Sequence, residues 1–139
     1  MAADRKTLPQ QMAALARLGV TAGVSIRGAR LRWTGRLQPT PLSVEYVLGL
    51  GFKLGESGPA VEVLDPVLRG EDVDALPHVY AGDRLCLCYP WQWTDNELIA
   101  RTIIPWASEW LLHYEVWKVT GDWRGGGHEP AVAGEAFSA

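Results

Sequence analysis

The chain has 139 residues, 47% of them hydrophobic, and a formal net charge of −3. This length predicts a single domain that buries a core of its own. The negative charge and the lack of a Lys/Arg run give no electrostatic basis for nucleic-acid binding. The N-terminal residues lack the apolar region of a secretory signal, and no apolar run approaches the roughly 20 residues of a membrane helix. With two cysteines one residue apart, the sequence predicts a soluble cytoplasmic protein with reduced thiols.

An N-terminal helix is predicted for residues 7–19. Thr7 and Gln10 have the spacing of a capping box at its start. Apolar residues recur at helical spacing through the segment, and Gly19 is a typical helix terminator. Residues 20–28 are predicted to form a loop that leads into the first strand.

Two strands are predicted next, because the hydrophobic period changes to two. Residues 29–37 bury odd-numbered side chains, and residues 44–52 bury even-numbered ones. If the strands pair as a hairpin, opposite residues share a face, so their numbers sum to an odd value. A sum of 81 is the predicted register, since it places Arg36 opposite Glu45.

Two further strands complete a four-strand antiparallel meander in this prediction. Residues 59–65 form a short third strand bounded by prolines, and residues 67–81 are loop-like. Residues 84–89 extend as a short fourth strand. Strand alternation then directs its two leucines toward the core and both thiols, Cys86 and Cys88, toward the opposite face.

A second helix is predicted to begin at Thr94, which has capping-box spacing to Glu97. Pro105 removes one backbone donor, so the helix kinks or restarts there. Strands followed by helices indicate an α+β fold. The predicted domain spans residues 1–121, and residues 122–139 form a Gly-rich C-terminal tail.

The two thiols allow three interpretations from the residues alone. The first is structural, since a free cysteine is most often a small buried hydrophobe. The second is a zinc site, although a single C-x-C pair with scattered histidines matches the usual ligand spacing poorly. The third is a protease-like Cys–His dyad. The residues that could serve in such sites are Cys86, Cys88, His78, His113 and His128.

The order of the elements and the surroundings of one cysteine resemble the ubiquitin-conjugating enzymes. In that family a His-Pro-Asn tripeptide precedes the catalytic cysteine, which follows a glycine and a hydrophobic residue and is itself followed by leucine and a tryptophan. The resemblance covers about residues 30–121 and implies an N-terminal helix, a four-strand meander and C-terminal helices. The matching positions here are His78, Gly82, Leu85, Cys86, Leu87, and Trp91 or Trp93.

Further motifs resemble the compact bacterial relatives found in short type II CBASS antiphage operons. These motifs are W-T-G at residues 33–35, the His-to-Cys segment at 78–87, I-P-W-x-x-x-W-L-x-x-Y-E-x-W at 104–117 and T-G-x-W-x-G-G-x-H at 120–128. The resemblance implies a specific partner, the C-terminal tail of a cGAS/DncV-like nucleotidyltransferase. It also implies that the protein regulates cyclic-nucleotide antiphage signalling.

The resemblance implies that Cys86 is the nucleophile of an acyl (thioester) transferase. His78 and Tyr80 would shape the loop and orient the partner's terminal carbonyl, while Trp91 and Trp93 would wall the approach groove. The tripeptide here reads His-Val-Tyr, so the family's asparagine is missing. That asparagine supports the oxyanion when lysine attacks the thioester, and an oxyanion donor matters greatly to acyl transfer. The expectation is therefore thioester formation, and conjugation to lysine is not implied.

The activation of the carboxylate is left open by the sequence. No Gly-rich nucleotide motif follows a predicted strand, so the chain is not expected to adenylate a carboxylate itself. Either a separate enzyme supplies an activated carrier, or Cys86 meets its partner by another route, as the resemblance to the short operons implies. No cofactor and no metal are expected. The alternative is a catalytically inactive scaffold of the conjugating fold that only binds its partner, because fold does not fix function.

Overall fold

The computed structural model arranges one antiparallel sheet with helices against one of its faces. It describes residues 4–68, 79–80, 84–85, 87–88 and 92–123, with the backbone alone at 79–80. A short 3-10 helix, Ile99–Arg101, precedes the last element. The helices and strands in chain order are α1 (Leu8–Ala16), β1 (Thr21–Arg27), β2 (Arg30–Leu37), β3 (Tyr46–Lys53), β4 (Ala60–Asp65), β5 (Val79–Tyr80), β6 (Arg84–Leu85) and α2 (Ile103–Thr120).

Helix α1 starts at the predicted capping box. The Gln10 amide donates to Thr7 Oγ1 at 3.2 Å, and the Thr7 amide donates to Gln10 Oε1 at 2.8 Å. The helix ends earlier than predicted, because the Arg17 amide bonds back to the Ala14 and Leu15 carbonyls and tightens the last turn. Gly19 lies in the turn that follows.

Strand β1 occupies most of the segment that was predicted to be a loop, and that prediction is wrong. Val24 and Ile26 pack against the core, while Ser25 and Arg27 are exposed. This alternation is short and is interrupted by a glycine and a β-bulge, so the sequence pattern did not indicate a strand. A tight turn with Gly28 at φ 59° connects β1 to β2.

The β2–β3 hairpin confirms the predicted parity and corrects the predicted offset. Leu31 lies opposite Phe52 and Trp33 lies opposite Leu50, so opposite numbers sum to 83, which is odd but not 81. Arg36 is therefore opposite Val47. Its guanidinium still reaches the Glu45 carboxylate diagonally at 3.9 Å, where both side chains are largely exposed.

The sheet has six strands in the order β1-β2-β3-β4-β6-β5, which corrects the predicted four-strand meander. Strands β1 to β4 are consecutive antiparallel neighbours. The predicted third strand corresponds to β4. The predicted fourth strand is reduced to β6, and β5 lies within residues 67–81, which were predicted to be a loop.

Helix α2 begins later than predicted. The Thr94 amide donates to the Glu97 carboxylate at 3.2 Å, as a capping box requires, but these residues close a turn and the extended backbone of Leu98 interrupts it. The helix proper starts at Ile103, so Pro105 falls in its first turn, where a missing amide proton removes no helical hydrogen bond. Gly121 ends the helix at φ 79°.

The core lies between the inner face of the sheet and the helices. Alternate positions of β2 and β3 together supply seven buried side chains, and α1 packs against β1 and β2. Helix α2 contributes six buried side chains. The α+β class and the N-terminal and C-terminal helices are therefore confirmed. The largest fully buried side chains include Trp33, Phe52, Leu15, Leu31, Leu48, Ile99 and Leu111.

Candidate functional site

Strand β6, in the thiol-bearing segment, lies between β4 and β5. Arg84 pairs with Glu62 of β4 on one side and with Tyr80 of β5 on the other. Val79 pairs with Leu85 in the same antiparallel ladder. Arg84 is exposed and Leu85 is 5% exposed, so the alternation predicted for this segment holds across the strand.

Two of the three predicted catalytic residues, Cys86 and His78, lie outside the described residues. The third, Tyr80, is described in its backbone, as the second residue of β5. The structure therefore brings the backbone of Tyr80 beside that of Arg84, two positions before the predicted nucleophile. The roles assigned to these three residues stay predictions.

The second thiol, Cys88, departs from the predicted alternation. It is half-buried and packs against the hydrophobic core, as Leu87 does. The prediction that Cys88 shares the non-core face is wrong, because strand β6 ends at Leu85 and its alternation does not extend to position 88. Cys88 is thus a packed thiol, which is the common environment of this residue.

Trp93 is a core residue and does not wall a groove, which corrects its predicted role. It is 3% exposed, and its ring meets that of Phe52 edge-on with centroids 5.5 Å apart. Its Nε1 donates to Thr102 Oγ1 at 3.0 Å, and that hydroxyl donates to the Leu98 carbonyl at 2.9 Å. Trp93 therefore anchors the segment after the thiols to β3 and to the start of α2. Trp91 lies outside the described residues.

The Gln11 side chain links helix α1 to the backbone of Glu97 and Ile99, before α2. This side chain is polar yet fully buried, and its Nε2 donates to the Glu97 carbonyl at 2.9 Å. Its Oε1 accepts the Ile99 amide at 2.8 Å. One amide side chain thus satisfies two backbone groups that the irregular segment before the 3-10 helix would leave unpaired.

Glu115 of α2 holds the loop between β2 and β3, and the sequence reasoning did not identify it. Its carboxylate accepts the Tyr46 hydroxyl at 2.8 Å and the Ser43 hydroxyl at 2.7 Å. Glu115 belongs to the Y-E pair of the 104–117 motif, but that pattern carries no signal for partners so far away in sequence. Burial, aided by the hydrogen bond and charge of Glu115, raises the pKa of Tyr46 above its usual range.

This contact predicts a loss of stability at alkaline pH. A phenol whose pKa is higher in the folded state favours folding while it stays protonated. The free energy of unfolding should therefore be level below the ordinary tyrosine pKa of about 10 and fall as the pH rises beyond it. Denaturant titrations across that range measure the slope. Tyr46→Phe should reduce the slope, whereas an unchanged slope would contradict the role of Tyr46.

The zinc interpretation is not tested by the described residues. They contain no group of three or more His, Cys, Asp or Glu residues that could hold a metal ion. Three of the proposed ligands, Cys86, His78 and His128, lie outside them. His113 packs beside the Trp123 ring, with centroids 6.1 Å apart. Trp123 also contacts Trp110, so the chain after α2 packs back on the helix as far as the structure describes it.

Neither helix in the described part of the chain has the combined length and apolar character that crossing a membrane requires. A one-sided antiparallel sheet with helices against its inner face places the chain in the α+β class. Within that class, the family model of the type II CBASS E2 protein matches residues 11–130. The chain therefore belongs to the type II CBASS E2 family. No curated protein matches it.

Proposed function

We propose that this E2 protein forms a thioester through Cys86 with the C-terminal carboxyl group of a partner protein. The partner we propose is a cGAS/DncV-like nucleotidyltransferase, whose signalling-nucleotide synthesis the thioester would regulate. The observation that carries the proposal is the family match, because it extends across residues 11–130 and so includes Cys86 and its flanking motif. A nucleophilic thiol also requires a reducing compartment, which favours the cytoplasm.

The pairing of β5 with β6 supports the proposed site. Val79 lies opposite Leu85 and Tyr80 lies opposite Arg84, so opposite numbers in this ladder sum to 164. The structure thus pairs the residue that follows His78 with the residue that precedes Cys86, which is why we propose His78 and Cys86 as members of one site.

Formation of the thioester requires an activated acyl group. The Cys86 thiolate attacks the terminal carbonyl carbon, a carbon–sulfur bond forms, and the bond to the activating group breaks. The leaving group departs with the electron pair, and the thiol proton passes to solvent or to a nearby base such as His78. A free carboxylate would have to expel oxide or water, so we propose that the acyl group arrives as an adenylate or as a thioester.

The missing asparagine limits the proposal to the thioester stage. Lysine attack on a thioester builds negative charge on the carbonyl oxygen, and an amide donor normally stabilises it. Tyr80 occupies the position of the asparagine in the tripeptide and has a hydroxyl group that can donate a hydrogen bond. We therefore propose Tyr80 as a positioning residue for the partner's carbonyl, and we do not propose transfer to lysine.

Mixing the protein with the nucleotidyltransferase of its own operon, in the presence of any activating enzyme encoded there, tests the proposal. Intact-mass spectrometry should show an adduct whose mass is the sum of the two chains less one water. Hydroxylamine and thiols should both cleave it, which separates a thioester from a disulfide. Cys86→Ala should abolish the adduct, whereas Cys88→Ala should retain it at close to the wild-type level.

The scaffold alternative is favoured by the same tripeptide, since His-Val-Tyr lacks the family's amide donor. It predicts that Cys86→Ala protects cells from phage as well as wild type does and still binds the partner. Iodoacetamide gives a direct comparison in the folded protein. Rapid alkylation at Cys86, together with the adduct, supports the thioester, and an inert Cys86 without an adduct supports the scaffold.

A further inference from the structure

Four cations share one end of the outer face of the sheet, the face away from the helices. Arg27 of β1 lies opposite Arg30 of β2, and Arg30 lies opposite Lys53 of β3. Arg32 follows two residues along β2 on the same face. All four are exposed. With strands about 4.8 Å apart and residues two apart separated by about 7 Å, the group fits within roughly 10 Å. We call these four residues the basic platform.

The arrangement is unfavourable for folding. Like charges directly opposite each other on neighbouring strands destabilise a sheet. In the part of the chain that the structure describes, the ion pairs are Arg5 with Asp95 and Arg36 with Glu45, so no platform residue has a carboxylate within ion-pair distance. The Glu56 carboxylate accepts the backbone amide of Lys53 at 2.8 Å, so its charge lies beside one end of the platform without forming an ion pair. Within the described residues, no ion pair therefore offsets the repulsion among the four cations.

The surface beside the platform is open. Gly51 lies opposite Arg32, and no atom of the described residues approaches within 4 Å of the place where a Cβ would stand on it. Gly23 of β1, which lies opposite Thr34, likewise has no described atom within 4 Å of its Cβ position. A partner segment can therefore approach the backbone closely between the charged side chains.

We propose that the basic platform binds an acidic segment of a protein partner. Several carboxylates spaced like side chains on a strand or a loop would face Arg27, Arg30, Arg32 and Lys53 together. Such pairing would relieve the repulsion that the isolated sheet carries. Arg is especially suited to this role because its guanidinium forms paired hydrogen bonds with a carboxylate.

The rest of the outer face favours a protein over a nucleic acid. Glu62 and Asp65 of β4 lie on or beside this face, opposite Gly49 and Val47, and would repel a long polyanion that crossed the sheet. The outer positions of β1, β2 and β3 include no aromatic side chain on which a base could stack. A compact cation group beside carboxylates matches the mixed charges of a protein surface.

A fluorescent peptide of alternating Glu and Gly residues is the probe for the platform. Anisotropy should show binding that weakens as salt is added. The double variant Arg30→Glu/Lys53→Glu should weaken it by about tenfold or more, because two of the four attractive charges become repulsive. The matched control is Arg17→Glu/Arg101→Glu, which makes the same charge change at exposed residues away from the sheet and should bind as wild type does.

A second variant separates binding from folding. Arg30→Thr removes the central like charge, so its thermal midpoint should rise while its affinity for the peptide falls. Loss of affinity in the Arg17/Arg101 control, or no binding of the peptide by wild type, would overturn the proposal. So would tighter, platform-dependent binding of an oligothymidine or of phosphatidylserine vesicles, because the ligand would then be a nucleic acid or a membrane surface.

Discussion

Gly35→Ala should destabilise the protein by about 3 kcal/mol, at the upper end of the roughly 1 to 3 kcal/mol that overpacking a core commonly costs. The Trp33 ring folds over the Gly35 Cα and fills the place where a Cβ would stand, and the Val20 carbonyl oxygen is 2.8 Å from that place. The ring has no simple escape. It is 1% exposed, and its Nε1 donates to Thr21 Oγ1 at 2.9 Å. Thr21 in turn donates to the Leu15 carbonyl at 2.6 Å.

Urea unfolding followed by tryptophan fluorescence and by circular dichroism measures this loss. Gly51→Ala is the matched control, because no described atom lies within 4 Å of its Cβ position and its backbone is not left-handed. That control should be neutral or slightly stabilising, since alanine restricts the unfolded chain. Equal stability of Gly35→Ala and Gly51→Ala would show that Trp33 can repack, and would contradict the argument. The W-T-G motif thus has a packing explanation.

The local pattern predicted the central strands β2 and β3 well, because both alternate with a simple period of two residues. The alternation of β2 and β3 determined which side chains are buried and that opposite numbers sum to an odd value. It could not determine the offset, since a shift of two residues preserves every face. The Arg36 and Glu45 pair suggested 81. The observed 83 buries Leu31 against Phe52, while the ion pair survives diagonally across an exposed surface where it contributes little.

The candidate site was predicted less completely, because its framework depends on contacts between distant residues. Trp93 reaches Phe52 of β3, and Glu115 reaches back to Ser43 and Tyr46. No local periodicity encodes such partners. The alternation predicted for the thiol segment is confirmed at Leu85 and wrong at Cys88, because the strand is shorter than the pattern predicts. The motif around Cys86 was identified by resemblance to a family, and strand patterns alone would not have singled it out.

The contact made by Gln11 shows why the N-terminal helix matters to the site. Its side chain joins residues separated from it by 86 and 88 positions, and it is fully buried. Helix α1 therefore holds the chain between the thiol segment and α2 in place. The neighbouring backbone adds a second link, since the Lys6 amide donates to the Asp95 carbonyl at 2.7 Å. Removing the two Gln11 hydrogen bonds should therefore loosen the segment around Glu97 and Ile99.

Gln11→Met should therefore destabilise the fold by about 2 to 6 kcal/mol, because it leaves two buried backbone groups unsatisfied. Methionine matches the volume of glutamine, so packing is largely kept, but the Glu97 carbonyl and the Ile99 amide both lose their partner. Each buried unsatisfied group costs about 1 to 3 kcal/mol, and a domain of this kind has only about 5 to 15 kcal/mol in total. Hydrogen exchange should accelerate first at Ile99 and its neighbours, before global unfolding.

Gln11→Glu distinguishes the hydrogen bonds from the packing. A carboxylate can still accept the Ile99 amide, but it faces the Glu97 carbonyl oxygen with no proton to donate, and burial raises its pKa. Once protonated, it can make both hydrogen bonds. Because the folded-state pKa is the higher one, the stability of this variant should be greatest at acid pH relative to wild type and should fall as the pH rises through that pKa. Methionine does not titrate, so the loss of stability of Gln11→Met relative to wild type should not vary with pH. The same pH dependence in both variants would show that Gln11 does not act through its two hydrogen bonds.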